Sequence, residues 1–138
     1  MSKAESPSLR KRIVAGYDAM LKHEAQLTHR FLTGISKISG LRLFGNRDPD
    51  STLKGKRTPT FALRLDCFET AGELSEALLD HDKIISGAGH FYAKYFAEGL
   101  DLMDSGGYVR IGFSHYNTFD EIDRVVQAIK DIAKANSK

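Results

Sequence analysis

The sequence has little cysteine, no long apolar run and almost no excess charge, and each shortage excludes a class of protein. Cys67 is the only cysteine among 138 residues, so an intramolecular disulfide and a cysteine-based zinc cluster are excluded. No apolar run approaches the ~20 residues that cross a bilayer, and Met1 to Ser8 lacks the hydrophobic region of a signal peptide. The net charge of +2 is too small to indicate a nucleic-acid partner. We therefore expect a cytoplasmic protein with no membrane or nucleic-acid partner.

Metal ligation is not indicated by the histidines either. They have no paired spacing with carboxylates of the kind that binds a metal ion. They are His23, His29, His81, His90 and His115. With 28% charged and 41% hydrophobic residues, the chain has the composition of one compact globular domain. The sequence therefore predicts a single core and no metal site.

The first forty residues predict a single long helix. Ser6 and Pro7 are typical of a helix cap followed by proline at the first helical position. An apolar stripe then runs to about Gly40 and consists of Ile13, Tyr17, Met20, Leu27, Phe31, Ile35 and Ile38. At ~1.5 Å per residue this helix would be ~45 Å long, more than the width of a small domain. We therefore expect residues 1–40 to form a linking helix that packs on a domain at residues 41–138, with part of its stripe unpartnered.

Two strands are predicted after this helix. Leu41–Phe44 is the first, and a loop dense in turn residues follows at Gly45–Lys56. In the segment Thr58–Cys67, large apolar residues alternate with smaller or polar ones, as in a strand with one face on a core. These apolar residues are Phe61, Leu63, Leu65 and Cys67. Cys67 is therefore predicted to be a core residue.

A second helix, a third strand and a third helix are predicted next. Thr70 and Glu73 form the Thr-x-x-Glu capping box of a helix that should end near His81. Lys83–Ser86 is predicted to be a strand, and Phe91–Leu100 a short helix. The helix after Thr70 permits the strands on either side of it to pair in parallel. The predicted fold class is α/β (α+β), a two-layer domain with a small mixed sheet covered by helices.

The segment from Tyr108 to Ile129 predicts a strand, a polar corner and a covering helix. In the strand, Val109, Ile111 and Phe113 would face the core, and Arg110 would lie on the other face. A guanidinium is always charged, and its planar fork can bind a carboxylate through two parallel hydrogen bonds. Arg110 is therefore the main candidate for ligand binding, and an arginine on a solvated sheet face is the alternative.

The corner after this strand supplies further polar groups. His115, Tyr116 and Asn117 lead into Thr118, which forms a second capping box with Glu121. Loops on a rigid scaffold often carry ligand contacts, so this corner is a candidate site. The alternative is that Asn117 and Thr118 serve only to form the corner and cap the helix.

Three motifs of the chain resemble one known enzyme family. RIGFSHYNTFDEID at Arg110–Asp123, GHFYA at Gly89–Ala93 and RTPTF at Arg57–Phe61 occur in the order of the C-terminal small domain of class V aminotransferases and cysteine desulfurase-like enzymes. The resemblance covers nearly the whole chain from about Leu9. It implies a pyridoxal-phosphate-dependent enzyme of fold type I, whose small domain closes over a cofactor bound mainly by a large domain in cis or in trans.

The resemblance also implies roles for individual residues at the corner. Arg110 stands where the family's arginine binds the α-carboxylate of an amino-acid substrate, six residues before the tyrosine of the Tyr-Asn-Thr turn. His115, Asn117 and Thr118 would shape that part of the substrate site.

A second set of residues matches the active-site loop of the family. Gly89, His90 and Tyr92 lie in this loop, and Tyr92 stands where the desulfurases carry a nucleophilic cysteine. Because a phenol is a poor replacement for a thiolate, cysteine desulfuration through a persulfide is not expected. Aminotransfer, epimerisation and β-elimination stay open. The alternative for His90 and Tyr92 is packing at a helix start.

Two functions are compatible with these patterns. The first is the substrate-closing C-terminal domain of such an enzyme, which would be inactive alone because the Schiff-base lysine and the acidic partner of the pyridine nitrogen belong to the large domain. No catalytic residue is then predicted in this chain. The second is a stand-alone α/β binding or regulatory module that dimerises through the first helix. We expect a homo-oligomer.

Overall fold

The computed structural model describes residues 8–136 of the chain. Within these residues, four helices and four strands follow one another in the order α1 (Leu9–Ile35), β1 (Leu41–Phe44), β2 (Thr60–Leu65), α2 (Ala71–Asp82), β3 (Gly87–Gly89), α3 (Lys94–Glu98), β4 (Tyr108–Gly112) and α4 (Phe119–Asn136). The α/β class, with a small sheet covered by helices and a long N-terminal helix, is confirmed. The predicted cap at Ser6 and Pro7 lies outside the described residues.

The sheet has the strand order β1-β2-β4-β3, and all three pairings are antiparallel. The prediction of a mixed sheet is therefore wrong. Strands β2 and β3, which flank α2, do run in the same direction, because each is antiparallel to β4. They do not pair with each other, since β4 lies between them. The chain thus returns from α3 into the centre of the sheet, and this return places Arg110 between β2 and β3.

The main core lies between one face of the sheet and helices α1, α2 and α4. Its fully buried side chains are large and apolar, which is what a helix layer on a sheet requires. They include Leu27, Phe31, Phe61, Leu63, Leu74, Leu78, Val109, Ile122 and Ile129. The predicted alternation in β2 and β4 is therefore confirmed for this face, and Arg110 lies on the other face.

A second, smaller cluster covers part of that other face. It is built by the segment between β3 and β4, which contains α3 and folds back over the sheet. Its buried members are Ala97, Leu102 and Tyr108, and its half-buried members are Phe44, Ala62, Phe91 and Met103. This cluster brings Phe91 next to the strand that carries Arg110.

Both capping boxes were predicted and both are present. The Thr70 hydroxyl accepts from the Glu73 amide at 3.2 Å, and the Glu73 carboxylate accepts from the Thr70 amide at 2.8 Å. Thr118 and Glu121 make the same pair of contacts at 3.2 and 2.7 Å. Helices α2 and α4 accordingly begin where the sequence predicts.

Other boundaries differ from the prediction. Cys67 is exposed and not a core residue, because β2 ends at Leu65 and the alternation stops there. The third strand is Gly87–Gly89 instead of Lys83–Ser86, since α2 ends in a left-handed cap at Lys83. The third helix is shorter than predicted and begins at Lys94.

Helix α1 has two different halves. Its C-terminal half is buried and packs on α4, where Gly34 permits a close approach: a Cβ there would lie 2.8 Å from Val126 Cγ1. Its N-terminal half carries exposed apolar residues, namely Leu9, Ile13, Val14, Tyr17, Met20 and Leu21. The expectation that part of the stripe is unpartnered agrees with the exposure of these residues within the described range. None of the described helices is long and apolar enough to cross a membrane.

Candidate functional site

The candidate site is centred on Arg110 in β4. Its neighbours across the sheet are Ala62 in β2 and Gly87 in β3, so no long side chain stands beside it on either strand. The Arg110 side chain is exposed, and its Cζ lies 4.1 Å from the centroid of the Phe91 ring. No hydrogen bond or ion pair to the Arg110 guanidinium is found among residues 8–136. All of its N–H donors are thus available to a ligand.

Gly89 ends β3 opposite Tyr108, and the loop that follows contains His90 and Tyr92 and brings Phe91 next to Arg110. Phe91 and Tyr92 have φ angles of 48° and 62°, in the left-handed region that residues with a Cβ seldom occupy. The His90 carbonyl accepts from the Tyr108 hydroxyl at 3.4 Å, which ties the loop to β4. This backbone turns Phe91 toward the sheet and leaves Tyr92 fully exposed.

His90 has an unusual environment in this loop. Its Nδ1 atom is buried, and no hydrogen-bond partner for it occurs in the described part of the chain. A buried ring nitrogen without a partner costs free energy, so such atoms are uncommon in folded proteins. The atom is therefore a polar group of this loop that a further molecule could satisfy.

The corner after β4 differs from the loop before α3, because the polar groups of Asn117 and Thr118 already form hydrogen bonds within the chain. Asn117 Oδ1 accepts from the Ser114 amide at 2.8 Å, and Asn117 Nδ2 donates to Glu121 at 3.2 Å. The Asn117 carbonyl lies 2.8 Å from His23 Nε2, which joins the corner to α1. These contacts support the alternative in which Asn117 and Thr118 form the corner and cap α4.

His115 is an exposed residue of the corner, whereas Asn117 is half-buried. Its Nδ1 lies 3.2 Å from Ser114 Oγ and 4.0 Å from Glu24 Oε1. Over residues 8–136, no hydrogen bond, ion pair or ring contact joins His115 to Arg110. The structure therefore places Arg110 next to the loop that contains His90 and Tyr92, and the remaining predicted residues at the corner after β4.

The pKa of Glu121 lies below its usual range, first because the Thr118 amide and then because the Asn117 side chain donates to the carboxylate. A depressed pKa in the folded state adds stability at neutral pH, which is lost as the pH falls through that pKa. We expect Glu121→Gln to be less stable than the wild type at neutral pH and equal to it in acid. Urea unfolding of both proteins over a series of pH values measures this. A stability difference that does not change with pH would contradict the assignment.

The roles of three residues were not predicted from the sequence. Phe91 was predicted to be the first residue of a helix, but it lies in the loop before α3. Gly87 was predicted to follow the strand Lys83–Ser86, but it is the first residue of β3. The third is Arg64, which is 4% exposed and donates hydrogen bonds from its Nη atoms. The acceptors are the carbonyls of Phe68, Glu69, Ser105 and Gly107 and the Ser105 hydroxyl. The only local signal for Arg64 was a charged residue in an otherwise apolar strand.

Comparisons with known proteins agree with the fold. Residues 12–125 match the sequence model of the family described as aminotransferase class-V. An aminotransferase-like protein of Gibberella zeae is 26% identical over 118 residues, which are 83% of this chain and 27% of that protein.

Solved structures of cysteine desulfurases share the fold of this chain. The apo enzyme from Thermococcus onnurineus NA1 has a TM-score of 0.75 at 19% identity, over 96% of this chain and 33% of that one. The enzyme CsdA of Escherichia coli has a TM-score of 0.63 at 22% identity, over 96% of this chain and 32% of that one. The chain spans about a quarter to a third of the length of the proteins it matches.

Proposed function

Because the chain belongs to the aminotransferase class-V family, we propose that it is the C-terminal, substrate-closing domain of a pyridoxal-phosphate-dependent enzyme that acts on an amino acid. Residues 41–138 would form the small domain, and residues 1–40 would link it to a large cofactor domain, supplied in cis or in trans. The reaction would be carried out by the two domains together.

The observation that supports this proposal most directly is the free guanidinium of Arg110. It is the exposed arginine of β4, its neighbours Ala62 and Gly87 leave it open, and its donors have no partner among the described residues. A carboxylate is the ligand that matches a planar fork of N–H donors. The α-carboxylate of an amino acid would therefore be bound here.

The cofactor itself does not fit the residues of this chain. A lysine that forms a Schiff base is activated by desolvation, whereas every lysine between residues 8 and 136 is exposed. The N-terminus of α4 is a possible phosphate site by position, but Thr118 and the Glu121 carboxylate already cap it. We infer that pyridoxal phosphate is bound mainly by the large domain.

Transamination, epimerisation and elimination are all compatible with this arrangement, and cysteine desulfuration is not proposed. Tyr92 stands in the active-site loop in place of a thiol. The single thiol, Cys67, lies five residues beyond Ala62 along the chain, past the far end of β2. Desolvation raises the pKa of the Cys67 thiol, which disfavours the reactive thiolate.

The exposed half of α1 favours a second candidate function. Its apolar residues, with Tyr17 69% and Leu9 64% exposed, would be covered in a stable protein. In the proposed enzyme the large domain covers them. In the alternative, a binding or regulatory module, a second copy of the chain covers them and the protein is a homodimer. A folded 15.3 kDa chain that dimerises through Tyr17 without any larger partner would favour this alternative.

We expect Arg110→Ala to weaken the affinity for amino acids about tenfold or more, since a lost charged hydrogen bond is worth about 1.5–3 kcal/mol. The measurement uses the native polypeptide that carries this sequence, with pyridoxal phosphate, and follows the amino-acid-dependent change in cofactor absorbance.

Arg42→Ala is the matched control for this experiment. Arg42 is also an exposed strand arginine near an aromatic ring, but it is paired with Asp66 at 3.0 Å. Its loss should leave amino-acid affinity unchanged. An unchanged affinity in Arg110→Ala as well would remove Arg110 from the substrate site.

A further inference from the structure

Four arginines among residues 8–136 have their guanidinium carbon over an aromatic ring. Three of them also use their N–H donors within the chain: Arg30 with Asp123, Arg42 with Asp66, and Arg57 with the carbonyls of Asn46, Thr58 and Thr60. Arg110 makes the closest ring contact, at 4.1 Å, and is the one whose donors have no partner in this part of the chain. Within residues 8–136, Arg110 thus has an aromatic ring beside it and no hydrogen-bond or ion-pair partner.

We propose that Phe91 is a positioning residue of the substrate site, whose ring orients Arg110 so that its N–H groups remain free for a carboxylate. The inference rests on the proposed function, because the carboxylate is that of the amino-acid substrate. A ring attracts a guanidinium through the face of its π-system and takes up no N–H donor, unlike an aspartate or a carbonyl. Phe91 therefore fixes the arginine without competing with the substrate.

The surroundings of Phe91 are arranged to keep the ring in this position. A Cβ on Gly87 would lie 2.9 Å from Phe91 Cε1 and 3.0 Å from Cζ, so the ring contacts β3 where there is no side chain. The Tyr108 ring also lies near Phe91, with 5.6 Å between the ring centroids. Gly87 and Tyr108 thus define where the Phe91 ring can lie.

The backbone of the loop supports the same conclusion. Phe91 and Tyr92 both have left-handed φ angles, which are unfavourable for residues with a Cβ and persist only when the surroundings enforce them. The hydrogen bond from the Tyr108 hydroxyl to the His90 carbonyl is one contact that holds the loop in this conformation. The result is that Phe91 points at Arg110 and its neighbour Tyr92 points into solvent.

The test uses the native polypeptide that carries this sequence, labelled with nitrogen-15 and supplied with pyridoxal phosphate. It follows the side-chain Nε–Hε resonance of Arg110, identified by its absence in Arg110→Lys. The ring current of Phe91 should shift this resonance, so Phe91→Leu should move it. Titration with L-alanine should move it in the wild type, and Phe91→Leu should weaken that binding about two- to fivefold, as expected for a partly exposed cation–π contact.

Phe96→Leu is the matched control. Phe96 belongs to the same covering segment and its ring lies 5.7 Å from that of Tyr108, but the described cation–π contact of Arg110 is with Phe91. It should leave both the resonance and the alanine affinity as in the wild type. A Phe91→Leu protein with an unmoved resonance, or with unchanged alanine affinity, would overturn the positioning role. If Phe91→Leu moves the resonance but alanine never does, even in the wild type, the proposed substrate site itself fails, and the positioning role fails with it.

Discussion

Replacement of Arg64 by alanine is expected to destabilise the protein by about 3–5 kcal/mol, because hydrogen bonds from a buried charged group are worth about 1.5–3 kcal/mol each and several are lost together. Arg64 is 4% exposed. Its Nη atoms bind the two loops that follow β2 and precede β4. Without the guanidinium, four backbone carbonyls lose a donor that buried water would have to replace.

Arg42→Ala is the matched control for this prediction. Arg42 and Arg64 face each other across β1 and β2, so they share a row of the sheet. Arg42 is exposed and its ion pair with Asp66 is also exposed, so its loss should cost at most about 1 kcal/mol. Chemical unfolding of both variants measures the difference. Equal free energies of unfolding would mean that the Arg64 hydrogen bonds contribute little beyond those of a surface ion pair.

The elements that were predictable from the sequence are those with local signals. Helices α2 and α4 begin at capping boxes, in which two side chains three residues apart satisfy each other's backbone. The strand β4 was predictable because its apolar residues alternate over five positions. Each of these patterns can be evaluated without knowing where the rest of the chain lies.

Strand β3 and the pairing of the sheet were not predictable in this way. Gly87, Ala88 and Gly89 have no side-chain pattern, and they form a strand because β4 offers them an edge to pair with. The position of β4 between β2 and β3 depends on the tertiary structure, and no local sequence pattern predicts it. For that reason the sequence permitted a parallel pairing across α2, and none occurs.

The candidate site also has one part that was predictable from the sequence and one part that was not. The face on which Arg110 lies follows from alternation, whereas its contact with Phe91 depends on the segment between β3 and β4 folding back over the sheet. The same segment buries Arg64, whose position in the strand suggested exposure. Asn117 and Thr118 were predictable as either site or corner residues, and the structure shows them making the contacts of the corner.

Replacement of Gly107 by alanine should be nearly as damaging as the loss of Arg64. Gly107 has φ +81°, and a left-handed residue with a Cβ costs about 1–2 kcal/mol. In addition, a Cβ there would overlap the carbonyl group of Gly89 and lie 2.9 Å from the His90 nitrogen. Backbone must move to relieve this overlap, at about 1–3 kcal/mol, so we expect a total near 3–4 kcal/mol.

Gly106→Ala is the control that measures the cost of the left-handed backbone without the steric overlap. Gly106 has φ +72°, but a Cβ on it would meet nothing within 4 Å, so only the left-handed cost of about 1–2 kcal/mol applies. Thermal or chemical unfolding of both variants should therefore give clearly different stabilities. Similar free energies of unfolding for the two variants would show that the β3 backbone moves at little cost to accommodate the Cβ of Gly107→Ala.

The Gly107 variant also connects the fold to the site, because the peptide it displaces is the start of the loop that carries Phe91. Movement of Gly89 and His90 should shift the Phe91 ring, and the Arg110 resonance should move in Gly107→Ala but not in Gly106→Ala. An unmoved resonance in a destabilised Gly107→Ala protein would mean that Phe91 is fixed by Gly87 and Tyr108 alone. The close approach of Gly107 to Gly89 would then be needed for the sheet and not for the candidate site.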